Sequence, residues 1–146
     1  RYFNVFGPNQ DPASEYAAAI PKFIAAVAAG ERPTIFGDGE QSRDFTYIAN
    51  VVDANLRAAE VPEASGRVFN IASGRAITVN RMLALVGELL DKPAEADYTD
   101  PRPGDIRDSL ADISAARDVL GYDPEVSFED GMAMTVAAFS GDEVTA

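Results

Sequence analysis

Residues 36–48 have the sequence FGDGEQSRDFTYI, which predicts the end of a strand, a glycine turn and a second extended segment. The second segment, residues 44–48, is rich in the aromatic and β-branched side chains that favour strands. Arg43 lies at the junction, where the chain turns and a long side chain can reach a neighbouring cleft. These residues alone leave two interpretations of Arg43 open: a solvated arginine beside an ordinary Gly-Asp-Gly turn, or an anion-binding residue.

The charge of the chain limits its partners. Its 146 residues include 24 acidic and 12 basic side chains, a net charge of -12. Such a field repels polyanions, so neither nucleic acid nor an anionic membrane is expected as a partner. A few arginines gathered locally can still hold a nucleotide, because the guanidinium fork matches phosphate oxygens. The excess acid is either a solubilising surface or an adaptation to a salty cytoplasm.

The residue types that are missing restrict the chemistry further. The chain has no cysteine and no histidine, so we expect no disulfide, thiolate nucleophile, imidazole base or ordinary zinc site. Hydrophobic residues make up 47% without a run of membrane-spanning length, which is typical of a soluble, cytoplasmic domain. The chain is short for an enzyme that holds two nucleotides and starts at Arg1 inside a strand-like run, so we expect it to be a fragment.

The spacing of apolar residues predicts an α/β chain with short strands and about five or six helices. Strands are expected at residues 1–6, 33–36, 68–72 and 94–99. Helices are expected to begin near Ser14, Pro21, Asn50, Thr78, Asp112 or Ser114, and Ser127. The helix capped by Asn50 would carry Val52, Leu56 and Ala59 on one apolar face. Residues 1–140 are expected to form the domain, and residues 141–146 a polar tail.

Two other segments carry polar groups that have more than one interpretation. Asn4 interrupts the apolar run of residues 1–6 with an amide, which either satisfies nearby backbone groups or faces a ligand. Residues 100–108, here called the arm, contain two prolines, a glycine, two arginines and three acids. The arm is either a solvated charged linker or a stiffened loop that carries Arg102 and Asp105 into a site.

Three segments together, residues 1–8, 36–48 and 101–107, resemble the C-terminal, sugar-nucleotide-binding part of the extended short-chain dehydrogenase/reductases. Within the NAD-dependent epimerase/dehydratase group, the pattern is most similar to that of the UDP-hexose 4-epimerases. The resemblance spans nearly the whole chain, from Arg1 to about Phe139. It implies an α/β fold that is the C-terminal, substrate-binding portion of an extended Rossmann-type enzyme.

The resemblance also implies a role for individual residues. The implied contacts to the UDP-sugar come from Asn4, Lys22, Phe23, Arg43, Arg102 and Asp105. In these roles Asn4 lies beside the diphosphate and hexose, Lys22 and Phe23 flank the uracil, and the two arginines bind the diphosphate. Asp105 accepts hydrogen bonds from the ribose hydroxyls, and Tyr2 lies near the nicotinamide end of the NAD cofactor. One position departs from the pattern, since Asp108 stands where many relatives have histidine, and no role is assigned to it.

The catalytic elements of such enzymes are missing from this sequence. Gly37 and Gly39 are followed by Ser42 and an extended run, so they are not the glycine fingerprint that precedes a helix in a dinucleotide site. No tyrosine is followed by a lysine four residues later, which is the spacing of the family's general base. We therefore expect no catalytic residue in this segment, and no activity from it alone.

The resemblance implies that the intact enzyme is a homodimer, and it also implies the reaction. Hydride leaves C4 of the sugar for NAD, the 4-keto sugar turns while held through its nucleotide, and hydride returns to the other face. UDP-glucose and its N-acetyl form are both expected as substrates, because small residues near the site, 17–19 and Ser42, leave room. The alternatives are a sister nucleotide-sugar dehydratase or decarboxylase, or a nucleotide-binding module without chemistry.

Overall fold

The computed structural model describes residues 1–10 and 19–140. Within them the helices are α1 (Ala19–Ala28), α2 (Ile48–Glu60), α3 (Val79–Leu90), α4 (Ser114–Leu120) and α5 (Phe128–Ser140), with a short 3-10 helix at Pro62–Ala64. The strands are β1 (Val5–Phe6), β2 (Thr34–Phe36), β3 (Ser42–Asp44), β4 (Thr46–Tyr47), β5 (Ala76–Thr78) and β6 (Asp97–Thr99). This confirms an α/β chain with short strands and five or six helices.

The strands form three separate pairs. β1 pairs with β4 and β2 with β6, both in parallel, whereas β3 pairs with β5 in antiparallel orientation. The predicted extended segment 44–48 is therefore divided, because β3 ends at Asp44 and β4 begins at Thr46 with a different partner. Because the two strands are divided at Phe45, Arg43 of β3 pairs with Ile77 of β5. Thr46 and Tyr47, which follow Phe45, pair with β1.

Two apolar clusters hold these elements together. The larger one joins α1, α3 and α5 to the aromatic residues Phe6, Phe45 and Phe128, whose rings are in contact. The smaller one joins α2 and α4 around Tyr122, which is fully buried. The larger cluster contains buried side chains from all three helices: Phe23, Ile24 and Val27 of α1, Met82, Leu83 and Val86 of α3, and Met132 and Val136 of α5.

Two of the predicted N-caps, Thr78 for α3 and Ser127 for α5, are confirmed. The predicted helix start at Pro21 is wrong, because Pro21 lies inside α1. Thr78 accepts a hydrogen bond from the Arg81 backbone N–H at 3.1 Å, and Ser127 accepts one from the Asp130 N–H at 3.0 Å. At the other end, α4 stops before Gly121, which has the left-handed φ of 61° that a glycine adopts most readily at a helix C-terminus. The predicted cap Ser14 lies outside the described residues, as does the tail at 141–146.

The helix predicted after Tyr47 is present as α2, but its predicted cap at Asn50 is wrong. α2 begins at Ile48, directly after β4, and Asn50 is buried inside it. Its amide donates to the Val126 carbonyl at 2.9 Å and its carbonyl accepts from the Val126 N–H at 3.0 Å, which ties α2 to the segment before α5. The face predicted to be apolar points to solvent: Val52 and Leu56 are 51% and 61% exposed, and Ala59 is exposed as well. The buried residues of α2 are instead Asn50, Val51 and Ala54.

The two predicted strands at residues 1–6 and 68–72 are much shorter in the structure. Asn4 has a φ of 34°, which breaks the first run so that only Val5–Phe6 forms a strand. Tyr2 makes one isolated parallel bridge with Ile71, and the remainder of 68–72 is not a strand. Tyr2 and Val68 are 56% and 66% exposed, contrary to the burial expected of these runs.

Within residues 1–10 and 19–140, no helix combines the length and the apolar character needed to cross a bilayer.

Candidate functional site

A cavity of about 290 Å³ lies where α1, β2, β3 and the arm meet. It is lined by Asn4, Ala19, Lys22, Phe23, Thr34, Ile35, Phe36, Gln41, Arg43, Phe45, Val79, Arg102 and Asp105. All six residues predicted to bind the substrate are among them: Asn4, Lys22, Phe23, Arg43, Arg102 and Asp105. They come from four separate parts of the chain, and the fold brings them together around one cavity.

Arg43 reaches the cavity from β3. It is the middle residue of β3, and its side chain is only 19% exposed. One terminal nitrogen contacts Asp105 Oδ1 at 2.6 Å, and the other donates to the carbonyl oxygens of Ser42 at 2.8 Å and Arg107 at 3.4 Å. These contacts orient the guanidinium toward the arm, so the residue is not a freely solvated loop arginine.

Arg102 reaches the cavity from the arm in a different way. Its guanidinium carbon lies 3.8 Å from the centroid of the Phe36 ring, a distance typical of a stacked cation–π contact. Within the described part of the chain it has no carboxylate partner at ion-pair distance. The stacked guanidinium keeps its N–H donors available to an anion.

Asn4 and Phe23 each have a structural contact as well as a place in the cavity wall. The Asn4 side-chain amide donates to the Asp44 carbonyl at 3.0 Å, and the Asn4 backbone carbonyl accepts from the Thr46 N–H at 3.2 Å. Phe23 is 6% exposed and belongs to the larger apolar cluster. The interpretation of Asn4 as a partner of nearby backbone groups is therefore confirmed, while its second role remains a prediction.

The three residues of β2, Thr34, Ile35 and Phe36, also line this cavity. The Pro33 carbonyl and the Gly37 N–H are hydrogen-bonded to β6. Because backbone groups alternate along a strand, those of Thr34 and Phe36 point away from β6. The Phe36 carbonyl accepts from Gln41 Nε2 at 2.8 Å, while the Phe36 N–H and the Thr34 N–H and carbonyl point away from β6. Sequence reasoning missed these residues, because a backbone site carries no side-chain signal.

The arm is attached to the rest of the domain at its C-terminal end. Arg107 donates to both carboxylate oxygens of Asp38, at 2.9 and 3.0 Å, in the glycine turn. This hydrogen-bonded pair lowers the pKa of Asp38 below its ordinary value and raises that of Arg107. The arm is thus a loop held against the domain, as the second interpretation of its sequence required.

Two expectations about residues near the site differ from the structure. Ser42 does not leave room in the cavity, because its side chain turns away to Asp108; Ala19 does line the cavity, and residues 17 and 18 lie outside the described part. Tyr2, the predicted cofactor contact, is outside the cavity and donates from its hydroxyl to Asn55 Oδ1 at 2.8 Å.

Short parallel and antiparallel strands flanked by helices, with an arginine-lined cavity beside them, define part of a Rossmann-like α/β protein. Residues 1–72, just under half of the chain, match the model of the NAD dependent epimerase/dehydratase family.

Known proteins of this kind cover the chain almost completely. It is 38% identical over 136 residues to the UDP-glucose 4-epimerase of Mycolicibacterium smegmatis, which is 93% of this chain and 43% of that protein. The crystal structure of the Thermotoga maritima UDP-glucose 4-epimerase with UDP-glucose has a TM-score of 0.91 at 43% identity, and covers 97% of this chain. A Methanobrevibacter ruminantium UDP-N-acetylglucosamine 4-epimerase in complex with UDP-N-acetylmuramic acid has a TM-score of 0.89 at 47% identity, with the same coverage. The chain spans under half the length of each of these relatives.

The glycine turn of this chain does not fit the pyrophosphate of NAD. Gly37 and Gly39 both have positive φ, but the strand β3 follows them where a dinucleotide site needs a helix N-terminus. The Asn80 side chain also occupies the space over Gly39. In the described residues, no group of acidic side chains is placed to hold a metal ion.

Proposed function

We propose that this chain is the C-terminal, UDP-sugar-binding part of an NAD-dependent UDP-hexose 4-epimerase. The observation that carries the proposal is the convergence of Arg43, Arg102, Lys22 and Asp105 on one cavity. Three cations and one acid give that cavity a positive excess within a chain of net charge -12. A local reversal of charge is what a dianionic diphosphate needs.

In this proposal, each of the two arginines binds one phosphate of the diphosphate. Arg43 is fixed by Asp105 and by backbone carbonyls, so it presents a preoriented edge to one phosphate. Arg102 is stacked on Phe36 and free of carboxylates in the described chain, so its donors are available to the other. Preorganisation of both groups reduces the entropy lost on binding.

The β2 wall is suited to the uracil base. Phe23, Ile35 and Phe36 supply apolar surface around it. The imide edge of uracil has one N–H between two carbonyl oxygens, which complements the outward carbonyl of Thr34 and the outward N–H of Phe36. The base would thus be bound through backbone groups of a strand rather than through side chains.

Asp105 and Asn4 would hold the groups on either side of the diphosphate. Only Oδ1 of Asp105 is bonded to Arg43, so Oδ2 can accept from the ribose hydroxyls while the ion pair persists. Asn4 lies at the cavity wall with its amide held by Asp44, where it can face the diphosphate and hexose. Binding energy from the nucleotide would hold a sugar that must itself stay free to turn.

The cofactor and the reaction belong to the rest of the protein in this proposal. NAD supplies the hydride acceptor when it is bound, and the glycine turn of this chain does not fit its pyrophosphate. Tyr2 is kept as the one proposed contact of this chain with the nicotinamide end. We also propose a cytoplasmic homodimer that binds neither nucleic acid nor membrane.

Conversion of sugars by the full-length protein tests the proposal. It should interconvert UDP-glucose with UDP-galactose and also convert the N-acetyl forms, whereas the isolated chain of 146 residues should convert neither. Dehydration of a nucleotide sugar, or loss of CO₂ from UDP-glucuronate, would establish a sister enzyme. Binding of UDP without any conversion would establish a binding module and contradict the proposal.

A further inference from the structure

The C-terminal end of the arm is joined to the free edge of β3 by one isolated parallel bridge. Ser42 and Asp108 form a parallel bridge, in which the Ser42 N–H donates to the Arg107 carbonyl at 2.9 Å and the Ser109 N–H to the Ser42 carbonyl at 3.1 Å. On the same face, the Ser42 hydroxyl donates to Asp108 Oδ1 at 2.7 Å. β3 therefore lies between β5 on one edge and the arm on the other.

Asp44 makes a second attachment just beyond the arm. Its side chain is fully buried, and one carboxylate oxygen accepts from the Ser73 N–H and hydroxyl at 2.8 and 2.6 Å. The other oxygen accepts from the Gly74 N–H at 3.0 Å and the Ala111 N–H at 3.3 Å. A buried carboxylate without a cationic partner is costly unless donors such as these surround it. Here the donors belong to segments 29 and 67 residues away.

The alternation of β3 separates these attachments from the binding group. Ser42 and Asp44 are buried on one face, while the side chain of Arg43 leaves from the other and enters the cavity. Asp105 lies only three residues before Asp108 in the arm. The bridge between Ser42 and Asp108 therefore fixes where Asp105 lies along β3. A slip of one residue would move the arm by about 3.3 Å and turn its side chains to the other side. The contact of 2.6 Å between Arg43 and Asp105 would then be lost.

We propose that Ser42 and Asp44 are positioning residues for nucleotide binding. They hold the arm in the register that places Asp105 and Arg102 beside Arg43, and they do so without touching the ligand. Asp108, which has no assigned role in the sequence pattern, is the partner through which Ser42 acts. This inference rests on the proposed function of the cavity.

The test uses the full-length protein with Ser42→Ala and Asp44→Asn. Ser127→Ala is the matched control, because its hydroxyl also donates to an aspartate, Asp130, at 2.6 Å but caps α5 outside the cavity. Each variant is measured for the Kd of UDP by calorimetry, for kcat and KM with UDP-glucose, and for thermal stability.

A positioning role predicts a change in binding beyond any change in stability. Ser42→Ala should raise the Kd of UDP and the KM by roughly two- to thirtyfold with kcat nearly unchanged, and Asp44→Asn should raise both by more. Hydrogen exchange in residues 107–111 should become faster in both. Ser127→Ala should lower the melting temperature and leave the Kd and KM as they were.

The outcomes separate this inference from the proposed function. If Arg43→Ala weakens UDP binding while Ser42→Ala and Asp44→Asn lower only the melting temperature, the cavity is the binding site and the positioning role is wrong. If Arg43→Ala leaves UDP binding unchanged, the proposed function itself fails. Where Asp44→Asn does not fold, Ser42→Ala decides alone, and an unchanged Kd in that variant overturns the inference.

Discussion

The glycine turn that contacts the arm offers a stability test with a closely matched control. Gly39 has a φ of 77°, and a Cβ there would lie 2.5 Å from Cγ and 2.7 Å from Nδ2 of Asn80. Gly30 has a nearly equal φ of 74°, with open space around its added Cβ. Gly39→Ala and Gly30→Ala therefore share the same backbone strain and differ in the clash.

The magnitude follows from what Asn80 would lose by moving. Its amide donates to the Asp38 carbonyl at 3.0 Å and to Glu40 at 2.6 Å, and its carbonyl accepts from the Tyr98 hydroxyl at 3.0 Å. Three exposed hydrogen bonds of about 0.5–1 kcal/mol each give a loss of about 2 kcal/mol. Left-handed strain of about 1–2 kcal/mol is partly offset by the lower entropy of the unfolded alanine chain. We expect a net loss of about 1 kcal/mol for Gly30→Ala and about 3 kcal/mol for Gly39→Ala.

Urea unfolding of the full-length protein, followed by circular dichroism, measures both losses. A second pair makes the comparison sharper: Gly39→Ala introduced into the Asn80→Ala background should cost only about as much as Gly30→Ala, since the clash is already removed. Equal losses for Gly39→Ala and Gly30→Ala in the native background would refute the reasoning.

Three other properties of the chain lead to measurable outcomes. Asn50→Ala should lower the free energy of unfolding by about 2–3 kcal/mol, because it leaves both backbone groups of Val126 without partners; a loss below about 0.5 kcal/mol in urea would show that the pair is replaced by water. Burial, followed by the charge of Asp44, raises the pKa of Tyr122 from 10.0 to about 12. The neutral phenol is thus favoured by folding, so its contribution to stability is complete below pH 10 and declines between pH 10 and 12. Tyr122→Phe should remove that decline from the unfolding free energy, and the same slope in the variant would assign it to other groups. With a net charge of -12, the melting temperature should rise as salt is added up to about 0.1 M, where the screening length is about 10 Å, and a flat curve would leave the acids as ordinary surface.

Local signals in the sequence were sufficient for much of the fold. Thr78 and Ser127 cap helices because a hydroxyl three residues before a free N–H is a purely local arrangement, and Gly121 ends α4 for a local backbone reason. Four of the six cavity residues came from the three segments that carry the family resemblance, and Lys22 and Phe23 came from the region between the first two segments. The convergence of all six is a property of the whole fold that no single segment carries.

Where prediction failed, the deciding contacts come from far along the chain. α2 has apolar residues on two faces, and packing against α4 and Val126 determines that Val51 is buried while Val52 is exposed. No side-chain cap marks its start, because Tyr47 leads from β4 directly into the helix. Asp44 is another example, since its donors at residues 73, 74 and 111 are distant and its sequence context is only that of an acid within a strand.

The central claim is that the cavity binds the diphosphate of a UDP-sugar through its arginines. Calorimetric titration of UDP into the full-length protein tests it most directly, with Arg43→Ala compared with Arg117→Ala. Arg117 also pairs with an aspartate, Asp123, but lies on α4 away from the cavity. Loss of a charge-assisted contact of about 1.5–3 kcal/mol predicts a Kd roughly ten- to hundredfold higher for Arg43→Ala. The Kd should be unchanged for Arg117→Ala. An unchanged Kd for Arg43→Ala, or the same increase in both variants, would contradict the account.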